Sequence, residues 1–153
     1  MKENTADHMT EAGESMPGGM VVRIINNPSE LAKVHAALED FLGRHGISGR
    51  SAYHIQLALD ELVTNVISYA YDDGQRHEIR LSLDMAAGAV RATLEDDGKP
   101  FNPLDKPAPD LHASLDERPV GGLGIYFARV TMDELTYERL DGKNILRLVK
   151  KIA

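Results

Sequence analysis

Between Leu31 and Tyr69 the apolar residues recur every three or four positions; beyond Asp72-Asp73-Gly74 they recur every second one. That switch of period constrains the fold most, because the two spacings bury one face of a helix and one face of a strand, respectively. Leu31, Val34, Leu38, Phe41 and Leu42 mark a first helix, with Ser29 expected as its N-cap after Pro28 and with Gly43 and Gly46 at its end. Ser51 is expected to open a second, whose stripe is Ile55, Leu59, Leu62, Val66 and Tyr69. Ile79, Leu81 and Leu83 then alternate with polar residues, Ala87-Gly88 predicts a hairpin turn, and Val90, Ala92 and Leu94 alternate again. An earlier strand is expected over 20–25, and two later ones near 134–140 and 144–150, joined at Asp141-Gly142. Two helices on one face of a mixed, mostly antiparallel sheet make a two-layer α/β sandwich.

A length of 153 residues suits one such domain, expected over 20–153. Residues 1–19 are polar, show no sustained period and are expected to form a disordered tail. Prolines at 100, 103, 107, 109 and 119 keep residues 98–120 from forming either element, and so long a loop inside a domain points to function. The absence of cysteine excludes disulfides, thiolate zinc sites and a cysteine nucleophile. The six histidines lack metal-ligand spacing and read as surface or packing residues. A net charge of −7 argues against nucleic acid or an anionic membrane as partner. No apolar run approaches the roughly 20 residues of a membrane span, and the N-terminus lacks a secretory pattern, so the expected location is cytoplasmic.

Three pieces carry chemistry. Glu61 and Asn65 stand one helical turn apart, a carboxylate beside an amide, and together offer hard oxygen ligands to water, a hydroxyl or hydrated Mg²⁺. Asp96 shares the parity of Val90, Ala92 and Leu94, so alternation aims its carboxylate at the buried face, where it needs a hydrogen-bond donor; Gly98 follows two residues later and permits close approach. Gly121-Gly122-Leu123-Gly124 precedes a short helix expected over 125–132, where exposed backbone N–H groups make an anion cradle. Each piece alone has an ordinary reading: a solvated helix face, a turn at a strand end, a glycine hinge.

In this order and spacing they resemble the motif set of the GHKL (Bergerat-fold) ATP-binding superfamily, from about Met20 to the C-terminus. The stretch Leu57-Ala58-Leu59-Asp60-Glu61-Leu62-Val63-Thr64-Asn65, with Glu95-Asp96-Asp97-Gly98 and Gly142-Lys143-Asn144-Ile145, is most similar to the small anti-sigma-factor serine/threonine kinases. The resemblance implies a Bergerat fold with an ATP lid at about 99–120. It implies Asn65 as the residue that binds Mg²⁺ on the ATP phosphates, Glu61 as general base, and Asp96 as acceptor of the adenine amino proton. Gly98 would lie against the base, and Gly122, Leu123 and Gly124 would hold the phosphates. Asn144 stands where a threonine often meets the adenine edge. Arg118, just before Gly121-Gly122, has three readings: a contact of the γ-phosphate, a contact of an acidic partner, or a solvated lid arginine. Pro100 departs from the family's second glycine, and Ser68 from a frequent histidine.

The implied function is an ATP-dependent protein serine/threonine kinase that phosphorylates a STAS-domain anti-sigma-factor antagonist and sequesters a sigma factor or similar partner, often as a homodimer. The alternative is a catalytically weak, nucleotide-dependent binding module that regulates a partner without phosphoryl transfer.

Overall fold

The computed structural model describes residues 14–16, 19–105 and 122–152. Among them are six strands, β1 (Glu14–Met16), β2 (Gly19–Ile25), β3 (Glu78–Ala86), β4 (Ala89–Asp96), β5 (Glu134–Leu140) and β6 (Lys143–Lys151), and three helices, α1 (Leu31–Arg44), α2 (Gly49–Tyr69) and α3 (Gly122–Thr131). The strands form one sheet in the order β1-β2-β3-β4-β6-β5, with every described pairing antiparallel rather than mixed. A single core joins the helices to one face of this sheet, which is the expected two-layer sandwich.

Several local expectations shift. A short edge strand, β1, lies inside the segment expected to be a disordered tail, where Glu14 pairs with Val21 and Met16 with Gly19. Three residues held by backbone hydrogen bonds to an edge leave no periodic signature. Asn27, not Ser29, caps the turn that leads into α1: its Oδ1 accepts from the Ser29 amide at 3.0 Å. The second helix starts at Gly49 rather than Ser51, and Tyr69 at its end is 38% exposed, outside the buried stripe. Helix α3 starts at Gly122, so Gly122, Leu123 and Gly124 form its first turn instead of preceding it. Gly121, Arg118 and all of the expected lid beyond Asp105 lie outside the described residues. No helix among the described residues is long and apolar enough to cross a membrane.

The hairpin turns set the register. Ala87-Gly88 and Asp141-Gly142 both have positive φ at each residue, the requirement of a two-residue turn between twisted strands. The result is a series of aligned rows on the helix-facing side. Met20, Leu83, Ala92, Leu148 and Leu135 form one, and Val22, Leu81, Leu94, Leu146 and Tyr137 the next. The third row is Ile24, Ile79, Asp96, Asn144 and Arg139. A leucine buried at either of the first two polar positions would contribute about 1.5–3 kcal/mol. The fold forgoes that at the edge of its core, and there the site begins.

Candidate functional site

Asp96, at the end of β4, is only 5% exposed, as the alternation requires. Its Oδ1 accepts from the Gly98 amide and from Asn144 Nδ2, each at 2.9 Å. Its Oδ2 accepts nothing from the described residues, and the side chain lines a pocket with Asn65, Leu62, Leu94, Phe101 and Asn144. Burial pushes the carboxyl above the ordinary aspartate range, and the two hydrogen bonds offset this only in part. A buried acceptor oxygen with no partner facing an apolar slot is complementary to a flat ligand with an N–H donor on its edge.

Asn144 holds this wall together. Besides Asp96, its amide donates to the Lys99 carbonyl at 2.9 Å, and its Oδ1 accepts from the Phe101 amide at 3.2 Å and from the Tyr137 hydroxyl. Both N–H groups and both lone pairs are therefore committed within the protein. Asn144 positions Asp96 and the chain that leaves β4, and it has no hydrogen bond left for a ligand; this departs from the adenine contact that the resemblance implied. Arg139 adds a bond to the Gly98 carbonyl at 2.8 Å. Tyr137 and Arg139 escaped the sequence reading, although the two-residue turn at Asp141-Gly142 already places Arg139 opposite Asn144.

Gly98 is required by a different neighbour from the expected one. A Cβ there would sit 2.5 Å from the Ala70 carbonyl oxygen and 2.6 Å from Ala70 Cβ, at the C-terminal end of α2, whose carbonyl accepts from Lys99 at 2.9 Å. Because these are backbone and Cβ atoms, the strand would have to move away. Gly98→Ala is expected to lower stability by about 1–3 kcal/mol, read as a fall in the thermal midpoint. The same junction is tied by His77, which bonds to Asp73 at 2.8 Å, lies 3.3 Å from Asp97 and stacks on Tyr71 at 4.3 Å. The hydrogen bond to Asp73 holds His77 above its ordinary value, so this histidine pins the turn after α2 to the end of β4.

Helix α2 supplies the other wall. Asn65 is 4% exposed; its Nδ2 donates to the Glu61 carbonyl at 2.9 Å, and its Oδ1 accepts nothing from the described residues. One turn earlier, Glu61 is half-buried and its carboxyl packs onto Gly124 in the first turn of α3. A Cβ at Gly124 would overlap Glu61 Oε1, so the glycine is what admits this carboxylate beside a helix start, where N–H groups have no intrahelical acceptor. Gly124→Ala is expected to displace Glu61 and slow any reaction it serves by about 10- to 100-fold, read as a fall in single-turnover rate. Leu123 is 41% exposed and lines a groove with Glu61 and Gly124, away from the Asp96 pocket.

Asp96, Asn144 and Asn65 thus share one pocket, and Glu61, Leu123 and Gly124 meet one helical turn away. The two pocket oxygens that take no hydrogen bond from the described residues are a carboxylate oxygen suited to an N–H donor and an amide oxygen suited to a hard cation.

Residues 24–150 match the family model described as a histidine kinase-like ATPase domain. The serine/threonine-protein kinase BtrW of Bordetella bronchiseptica is 33% identical over 116 residues, covering 76% of this chain and 82% of that one. The serine-protein kinase RsbW of Oceanobacillus iheyensis is 23% identical over 130 residues, 82% of either chain. A solved structure of the RsbU and RsbW domains of Rv1364c from Mycobacterium tuberculosis superposes with a TM-score of 0.60 at 19% identity. That match covers 86% of this chain and 32% of that one, and shows a shared fold.

Proposed function

The chain belongs to the histidine kinase-like ATPase family, and from that membership we propose that it is an ATP-dependent protein serine/threonine kinase of the anti-sigma-factor type. The observation that carries the reading is that Asp96 and Asn65 line one pocket and that no described residue donates to Asp96 Oδ2 or Asn65 Oδ1. Asp96 accepts the amino proton of adenine. Asn65 Oδ1 is a hard oxygen suited to Mg²⁺, which when bound neutralises charge on the ATP phosphates. The start of α3, with Gly122 and Gly124, supplies N–H groups and a favourable dipole to the phosphates.

Glu61 then holds the hydroxyl of the protein substrate. As the new P–O bond forms from that oxygen to the γ-phosphorus, the bond from the γ-phosphorus to the bridging oxygen breaks and ADP leaves. The hydroxyl proton passes to the Glu61 carboxylate. The substrate is a STAS-domain anti-sigma-factor antagonist, and a sigma factor or similar protein is the second partner, released when the antagonist engages. Arg118, outside the described residues, belongs to this proposal as a contact of the γ-phosphate.

Incubation with γ-labelled ATP, Mg²⁺ and the STAS-domain antagonist encoded nearest in the genome tests the reading. Acid-resistant label on serine or threonine of the antagonist is the expected result. ATP bound and retained without transfer would mean a nucleotide-controlled binding module.

A further inference from the structure

Tyr53, Leu57, Glu61 and Asn65 recur every four residues along α2, so they form one gently winding stripe. Exposure falls along it: Tyr53 is 59% exposed, Leu57 and Glu61 are half-buried, and Asn65 is 4% exposed inside the nucleotide pocket. Glu61 therefore stands between a buried nucleotide side and an open apolar side. At 1.5 Å rise per residue, Tyr53 lies about 12 Å and Leu57 about 6 Å beyond it along the axis.

The open side is a groove on each flank of the stripe. Toward α3, Leu57 and Glu61 face Leu123, Phe127 and Val130, of which Leu123 is 41% and Val130 59% exposed. Toward α1, Tyr53, Leu57 and Asp60 face Leu38 and Glu39. Neither groove is lined by lysine or arginine among the described residues; Glu39 and Glu61 contribute carboxylates, while the Asp60 carboxylate is paired with His35 Nε2 at 2.8 Å. The exposed apolar side chains of Tyr53, Leu123 and Val130 on grooves that meet at Leu57 mark a protein-binding surface, and the carboxylates select an occupant that is neutral or basic.

We propose that the phosphoacceptor segment of the protein substrate lies along this stripe, entering over Tyr53 and placing its hydroxyl at Glu61. This rests on the kinase reading, because a hydroxyl that Glu61 deprotonates must reach it from the side not taken by the nucleotide. An extended segment covers 12 Å in about four residues. The substrate therefore carries an apolar side chain two to four residues from its serine or threonine, seated between Leu57, Leu123 and Val130. Any charge next to it is basic.

The test is the double variant Tyr53→Ser/Val130→Ser in the full chain, with the STAS-domain antagonist as substrate. Both side chains are mostly exposed and stand outside the nucleotide pocket, so ATP-analogue affinity is expected to stay within twofold and the thermal midpoint to hold. KM for the antagonist is expected to rise about tenfold or more, with kcat changed far less. An unchanged KM would overturn the docking proposal while leaving the kinase reading intact. A variant that changes the chain's own oligomeric state with KM unchanged would mark the stripe as a self-association face and overturn it too. If the wild-type chain transfers no phosphate to the antagonist, the kinase reading falls, and the docking proposal with it.

Discussion

Glu61→Gln is expected to cut phosphorylation of the protein substrate by about 10²–10⁴-fold while ATP still binds within a few-fold. The substitution keeps the shape that packs on Gly124 and leaves the Asn65 bond intact, because that bond goes to the Glu61 backbone carbonyl. What it removes is the oxygen able to take a proton. Single-turnover transfer from pre-bound labelled ATP isolates that step from binding. Normal transfer by the variant would reduce Glu61 to a positioning group and undo the mechanism. The comparison with Gly124→Ala is informative, since that change leaves the carboxylate basic but moves it; a loss in both variants, with binding kept in both, locates the chemistry at this contact.

Asp96→Asn is expected to weaken ATP binding by roughly 10- to 150-fold, the loss of about 1.5–3 kcal/mol for a charge-assisted hydrogen bond in a buried site. The new Oδ1 can still accept from Gly98 and Asn144, which leaves the new NH₂ group where Oδ2 was, donor against donor with the adenine amino group. The stability effect runs the other way. Because burial raises the folded-state pKa above the aspartate value of 3.8, the stabilising contribution of Asp96 is present below that pH and is lost as pH rises through the folded value. Charging Asp96 is thus a cost to the empty protein. The variant is expected to melt no lower than the wild type at pH 7 while binding ATP poorly. A carboxylate kept for stability alone would show the reverse: a lower thermal midpoint and unchanged affinity.

Much of this was legible because the sequence obeys its periods. The alternation over 79–94 sets the face of every residue through Asp96, and the two dipeptide turns fix register, so the buried carboxylate follows from counting. The pairing of Asp96 with Asn144 needs one further fact, that β6 inserts beside β4 and leaves β5 at the edge. No local pattern encodes that order. Gly98 was legible as a position of close approach and Gly124 as part of an anion cradle, but their neighbours were not. Ala70 and Glu61 are brought to them by packing of α2 against the strand end and against α3, contacts between segments 28 and 63 residues apart in sequence. Asn65 read as one side of a solvated helix face from spacing alone. Its burial comes from a stripe wider than the leucines suggest, with Ala58 and Val63 also in the core.

The most direct measurement is the crystal structure of the full chain with Mg²⁺ and a non-hydrolysable ATP analogue. The account predicts the adenine amino nitrogen at hydrogen-bond distance, about 2.9 Å, from Asp96 Oδ2. It also predicts Mg²⁺ on Asn65 Oδ1 and the γ-phosphate beside the start of α3, within reach of the Glu61 carboxylate. An analogue seated elsewhere, or one whose base leaves Asp96 Oδ2 without a partner and whose phosphates point away from Glu61, would contradict it.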